Sequence, residues 1–197
     1  MRARLVASVV AASSVIVLAA CGTGPGAPPE AVRPTPAQAA SPIPPVANPR
    51  DVAVMARRTC ELLTPQQATG FGLDLPPEQS DGLFGTVYCA WTNTTRDRRV
   101  IRRVSIRVFT DNPTLEVAYN QDRGRPSFQL TEIAGYPTLV SRPLADEPIC
   151  DIDVKPAERQ SVAMTYESKE FKSNPQQACV VGKQVAAAVL MNLPLKS

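Results

Sequence analysis

The sequence predicts an α+β domain: a mostly antiparallel sheet with N- and C-terminal helices packed on one face, held by two disulfides. Three observations predict it. Residues Val100 to Thr110 alternate between apolar and polar, the period of a strand with one wet face. Ala178, Val181, Val185, Val189, Ala186, Leu190 and Leu193 recur at helical spacing near the C-terminus. Beyond Cys21, four cysteines are spread widely along a chain that begins with an export signal.

Each element has its own local reason. Asp51 to Leu63 reads as a turn-like or helical entry carrying Cys60. Thr64-Pro65-Gln66-Gln67 has the grammar of a helix start: Thr64 as N-cap, Pro65 at the first helical position, Gln67 as the residue that reaches back. Gly70 and Gly72 end that helix. Val87 to Thr92 is a strand with Trp91 buried. In Val100 to Thr110, Val100, Val104, Ile106 and Val108 share one face, into which Arg102 intrudes, while Arg103, Ser105 and Arg107 share the other. A buried guanidinium at Arg102 requires a carboxylate partner.

Asn112-Pro113 starts a short helix through Tyr119. Ser127–Ile133, Tyr136–Ser141, Ile149–Lys155 and Ser161–Tyr166 are further strands. Gly135-Tyr136-Pro137 and Lys155-Pro156-Ala157-Glu158 read as turns or strand-edge punctuation. Asn174-Pro175-Gln176-Gln177 starts the last helix, which Pro194 stops. Gly182 inside it costs about 1 kcal/mol against Ala and permits close packing on a sheet.

The N-terminal fifty residues are of another kind. Arg2 and Arg4 are a charged n-region, Leu5 to Leu18 an apolar h-region, and Ala19-Ala20 small residues before a cut. The apolar run, counted from Leu5 through Ala20, is about 16 residues, short of the roughly 20 that span a bilayer. Leu18-Ala19-Ala20-Cys21 reads as a lipobox: residues 1–20 form a signal peptide, and Cys21 becomes the lipid-bearing N-terminus. Each buried methylene of the acyl chains contributes about 0.8 kcal/mol to anchoring.

Gly22 to Arg50 then holds nine prolines and no apolar period. Proline fixes φ and removes amide donors, so residues 21–50 read as a lipidated tether. Thr35 and Ser41, beside prolines, are possible sugar acceptors. Residues 51–197 are read as a single domain.

Composition removes several chemistries. There is no histidine among the 197 residues, which excludes Ser-His-Asp and Cys-His catalysis and the commonest metal ligand. The formal charge of +3 falls to +1 once Arg2 and Arg4 leave with the signal, since no acidic residue precedes Glu30. That balance gives no reason to invoke nucleic acid. No metal and no cofactor is expected.

With Cys21 lipidated, Cys60, Cys89, Cys150 and Cys179 remain, and three pairings are possible. Cys60–Cys89 and Cys150–Cys179 are favoured because each joins a helix-associated cysteine to a nearby strand. With no C-x-x-C and no histidine, metal or redox use of these thiols is disfavoured.

Arg96, Arg98, Arg99, Arg102, Arg103 and Arg107 form the strongest charge cluster. Arg99, Arg103 and Arg107 are candidates for an anion patch; the plainer alternative is a solvated hairpin and outer sheet face, diluted by Asp97 and Asp111. Asp146, Glu147, Asp151 and Asp153 cluster around Cys150 without the spacing of a calcium loop, and read as a solvated face. Asn93-Thr94-Thr95 matches a glycosylation acceptor that is expected to be empty.

Several segments together resemble the actinobacterial, mycobacterial-type lipoproteins of a domain-of-unknown-function family. They are the lipobox, Cys60-Glu61-Leu62-Leu63-Thr64-Pro65, Cys89-Ala90-Trp91, Ile133-Ala134-Gly135-Tyr136-Pro137, Cys150-Asp151-Ile152-Asp153-Val154, and Pro175 followed by Cys179. Arg57-Arg58-Thr59 departs from the aspartate and proline that such sequences place before the first domain cysteine. The resemblance implies fold and location, and brings no activity or site.

The expected protein is therefore a monomeric, non-enzymatic lipoprotein at the extracytoplasmic face of the cell membrane, binding an unidentified envelope ligand or protein. Two alternatives are a structural accessory of an envelope assembly without a small ligand, and a hydrolase working through carboxylates alone. A deep apolar pocket between sheet and helices would favour the first reading, and facing carboxylates in a cleft the last.

Overall fold

The computed structural model describes residues 42–82, 86–95, 100–112 and 114–196. Seven strands form one antiparallel sheet: β1 (Glu78–Asp81), β2 (Val87–Thr94), β3 (Val100–Phe109), β4 (Gln129–Ile133), β5 (Tyr136–Ser141), β6 (Ile149–Ala157) and β7 (Gln160–Ser168). Their order across the sheet is β1-β2-β3-β7-β6-β5-β4. The helices are α1 (Pro65–Gly70), α2 (Thr114–Asp122) and α3 (Gln177–Asn192), with 3₁₀ turns at Ala53–Met55, Thr59–Leu62 and Lys169–Phe171.

Alternation decides which side of the sheet is the core. Val104, Ile106 and Val108 of β3, Cys150, Ile152 and Val154 of β6, and Val162, Met164 and Tyr166 of β7 are buried on one face. The same core takes Trp91 of β2, Leu62, Leu63 and Leu73 from the N-terminal segment, and Ala178, Val185, Ala186, Val189 and Leu190 of α3. Thus α1 and α3 share the inner face, as the patterning predicts. Gly182 lets α3 approach closely: a Cβ there would lie 2.8 Å from Ile152 Cδ1 and 3.2 Å from Tyr166 Cβ.

The opposite face is covered in part by α2, which packs against β5, β6 and β7. Leu115 of α2, Leu139 of β5 and Ile43 form a small second core there. Covering on both sides explains why every residue of β5 is buried.

Both favoured disulfides are present. Cys60–Cys89 ties the Thr59–Leu62 turn to β2, and Cys150–Cys179 ties β6 to α3, with Cα–Cα distances of 5.1 and 5.0 Å. Each spans 29 positions, a loop length that stabilises by about 3–4 kcal/mol in the chain-entropy picture.

Local details refine the sequence reading. Thr64 caps α1 in a full capping box: its Oγ1 accepts from Gln67 N at 3.2 Å, and Gln67 Oε1 accepts from Thr64 N at 2.9 Å. By contrast, Asn174-Pro175 forms a turn before α3 and supplies no side-chain cap; the helix begins at Gln177 behind Gln176. Ala134 (φ 51) and Gly135 (φ 82) make the two-residue turn between Ile133 and Tyr136, both in the left-handed region such a hairpin needs. Strand β6 runs on through Pro156 to Ala157 across a register shift, so the expected punctuation at Lys155 falls later, at Glu158-Arg159. Strand β1 has no apolar period and is unforeseen; its pairing with β2 orders it.

Residues 42–50, within the expected tether, lie against the domain. Ile43 is buried, Arg50 N donates to Pro156 O at 2.9 Å, and Arg50 Nε donates to Tyr136 Oη at 2.9 Å. Among the described residues no helix is long and apolar enough to cross a membrane. The signal, Cys21 and most of the tether fall outside the described residues.

Candidate functional site

Two concavities lie on opposite faces of the sheet, and they differ in chemistry. The first is bounded by α1, the segment after it, and β2. It has a volume of about 660 Å³ and is lined by Leu63, Pro65, Ala68, Leu73, Pro76 and Trp91, among others. That size suits a small-molecule site, and an apolar lining with few polar groups is its usual composition.

The wall of this cavity is fixed piece by piece. Cys60, itself in the lining, is tethered to Cys89 of β2. The capping box sets the start of α1. Asn192 at the end of α3 donates from Nδ2 to Leu62 O at 2.9 Å and to Gln67 Oε1 at 2.7 Å, so α3 clamps the turn that leads into α1. Gly72, at φ 69°, reverses the chain. Leu73 N then bonds to Ala68 O at 2.9 Å and Leu75 N to Thr92 O at 3.2 Å. Leu63, Leu73 and Trp91 are 3, 2 and 1 % exposed, so the lining is continuous with the domain core.

Among the described residues, charge in the cavity lining is one-sided. The ionisable lining residues are Glu61 and Asp74. Glu61 pairs with Arg58 at 3.1 Å, both well exposed. Asp74 accepts from Asn93 Nδ2. Arg102, the basic residue predicted to intrude on the inner face, is turned elsewhere: its guanidinium donates to Phe71 O at 2.6 Å and pairs with Glu170. Glu170 is the carboxylate partner that burial of Arg102 demands. A Cβ at Gly72 would lie 1.9 Å from Arg102 Nη1, so a side chain there would displace the guanidinium, while the positive φ by itself favours glycine.

The second concavity, about 280 Å³, lies on the outer face beside α2 and is lined by Arg107, Asp122, Arg125, Asp151, Asp153 and Thr165, with others. Arg125 ties Asp122 to Asp151, with both contacts at 3.1 Å. Thr165 Oγ1 donates to Asp151 at 2.9 Å, across the β6–β7 pairing. Burial pushes the Asp153 carboxyl up to about 7, helped by Asp151 and Asp122 and opposed by Arg125 and Arg107. Asp122 is raised too, first by burial, with Arg125 opposing. The sequence reading of this acidic group as a solvated face is corrected for Asp151 and Asp153, which are half-buried in the cleft, while Asp146 is exposed as expected. Parity places Asp151 and Asp153 together, but α2 covers them. Among the described residues no group of three or more potential ligands is placed to hold a metal ion.

The arginine candidates separate. Arg99 lies outside the described residues, as do Arg96 and Arg98. Arg103 is exposed on the outer face, opposite Glu167 of β7. Arg107 lies over the Tyr88 ring at 5.9 Å and faces the acidic cleft, where its charge is offset. The structure therefore brings Arg107 to the acidic cleft and leaves Arg103 exposed on the outer face. Sequence reasoning missed the apolar cavity, although Leu63-Thr64-Pro65 and Trp91, which line it, belong to segments singled out for other reasons. Leu73-Asp74-Leu75-Pro76-Pro77 is the signal that was available: an apolar stretch that two prolines keep out of a helix.

Comparison with curated proteins finds nothing similar to this chain, and comparison with solved structures finds nothing either. A family model does match, over residues 16–192, spanning the described fold and both concavities. The chain belongs to that family, described as protein of unknown function (DUF3558).

Proposed function

We propose that the protein is an extracytoplasmic lipoprotein that binds a small, largely apolar ligand of the cell envelope in the cavity beneath α1. The cavity carries this reading: about 660 Å³, lined by Trp91, Leu63, Leu73 and three prolines, with its wall fixed by a disulfide and a capping box. Attachment through Cys21 rests on the sequence Leu18-Ala19-Ala20-Cys21. Two disulfides suit an oxidising compartment. The work proposed is binding rather than catalysis, in keeping with a chain that has no histidine.

The test is to isolate the protein from its native envelope and measure the intact mass and the bound material. The expected result is a diacylglyceryl-modified Cys21 and a stoichiometric apolar compound released on denaturation. An unmodified Cys21 would contradict the anchor, and an empty cavity across repeated preparations would contradict the ligand.

A second reading rests on Asp153. A carboxyl held at about 7 beside Asp151 and Asp122 is the pattern of an acid–base pair. It predicts hydrolysis of some ester or glycoside that Asp153→Asn abolishes. A broad substrate panel showing no turnover would leave that carboxyl a structural feature.

A further inference from the structure

We infer that α2 is a pH-gated strap: it closes over the outer face of the sheet in acid and opens more often as pH rises to neutral, as a unit of its own while the rest of the domain stays folded. The first reason is how α2 is held. It is nine residues long, and its buried Leu115 packs not in the main core but with Ile43 and Leu139 in the small second one. The two disulfides fasten the N-terminal turn and α3, and leave α2 to other contacts. These are largely ionic: Lys155 to Glu116 at 3.0 Å, and Arg125, just past the helix, to Asp122 and Asp151 at 3.1 Å. A segment with so little buried apolar contact opens at lower cost than the core it lies on. Opening bares the outer face of β5, β6 and β7 and takes Leu115 off Ile43.

The second reason is what α2 covers. Asp153 of β6 is paired with Leu139 of β5 and Ala163 of β7. Its own strand turns Asp151 toward it, and Lys155 on its other side is taken by Glu116 and Glu158. From α2 it faces Asp122, from the segment after it Arg125, and from β3 Arg107. β7 adds Thr165, whose hydroxyl is given to Asp151. Three carboxyls thus share one cleft with two guanidiniums. Under the closed strap Asp153 titrates at about 7, first through burial and then through Asp151 and Asp122. With α2 lifted it meets water and returns toward the ordinary 3.8. The closed form therefore holds a proton that the open form has given up. Closure is fully favoured below about pH 4 and is weakened progressively up to about pH 7. Asp122, also raised by burial, acts in the same direction. Arg107, Arg125 and Lys155 stay charged across that range.

The experiment is amide hydrogen exchange of the full mature protein, read by mass spectrometry from pH 4 to pH 8 and corrected for intrinsic rates. Protection of residues 115–123 should fall by about a hundredfold or more over that range, while α3, β6 and β7 keep theirs. Asp153→Asn should hold residues 115–123 near the native protein's acid value at every pH. Asp122→Asn, a second and independent variant, should lessen the slope without reversing it. A native α2 whose protection does not change with pH would overturn the gate. So would a slope that Asp153→Asn leaves intact. Protection lost in step from α2, α3, β6 and β7 would overturn the separate opening of α2.

Discussion

The two faces of the sheet are built on different principles. The inner face is apolar and covalently fastened: Cys60–Cys89 and Cys150–Cys179 join the N-terminal turn and α3 to the strands they cover. The outer face is fastened by charge. Lys155, itself buried, pairs with Glu116 of α2 at 3.0 Å and with Glu158 at 2.9 Å, and Arg125 bridges Asp122 and Asp151. Burial alone would lower Lys155, but hydrogen bonds to Glu158 and Glu116 outweigh it and leave its pKa raised. The inner face should therefore respond to reductant and to changes of volume. The outer face should respond to pH and, at its exposed pairs, to salt.

The largest predicted effect is on the fastened face. Replacing Cys150 and Cys179 together with serine should lower unfolding stability by about 3–4 kcal/mol, read from denaturant midpoints at constant slope. A loss no larger than that of an exposed-residue variant would mean that apolar packing alone holds α3.

The outer face gives the next effect, and its sign can be worked out. Asp153 has a folded pKa of about 7 against an ordinary 3.8. The folded state therefore holds an extra proton between those values, and stability falls as pH rises from about 4 through about 7. Asp153→Asn should match the native protein near pH 4 and exceed it above pH 7, by up to about 3 kcal/mol. Parallel stability curves for the two proteins across that range would contradict the burial of this carboxyl.

Smaller effects sharpen the contrast. Gly182→Leu should cost about 1–3 kcal/mol through overpacking against Ile152 and Tyr166, with no pH dependence between 4 and 7. Thr64→Ala, which removes one half of the capping box on α1, should cost about 1 kcal/mol. That loss should appear as faster amide exchange in the cavity wall, leaving exchange in β6 and β7 unchanged.

What the sequence discloses follows the same division. The strands β3, β6 and β7 were legible because one buried face imposes a period of two, and α3 because its stripe is long. The need of Arg102 for a carboxylate was legible from parity. That the carboxylate is Glu170, 68 positions away, was not. β1 was hidden because Glu78-Gln79-Ser80-Asp81 is polar throughout and is a strand only through its partner β2. The cavity was hidden for a related reason. Leu63, Leu73 and Trp91 are visible as apolar residues, but the space between them depends on how a six-residue helix and a proline-bearing segment are clamped to β2 and α3. The raised pKa of Asp153 was hidden because nothing local says which side of the sheet α2 covers.

The two concavities also make rival claims on function, and one comparison separates them. Thr69→Trp places a large ring at the apolar cavity, which Thr69 lines from an exposed position on α1, and Asp153→Asn alters the acidic cleft. Native mass spectrometry of the protein from its own envelope should show a ligand adduct in the native chain, the same adduct in Asp153→Asn, and none in Thr69→Trp. An adduct kept by Thr69→Trp and lost from Asp153→Asn would place the site on the wrong face and contradict the proposed function.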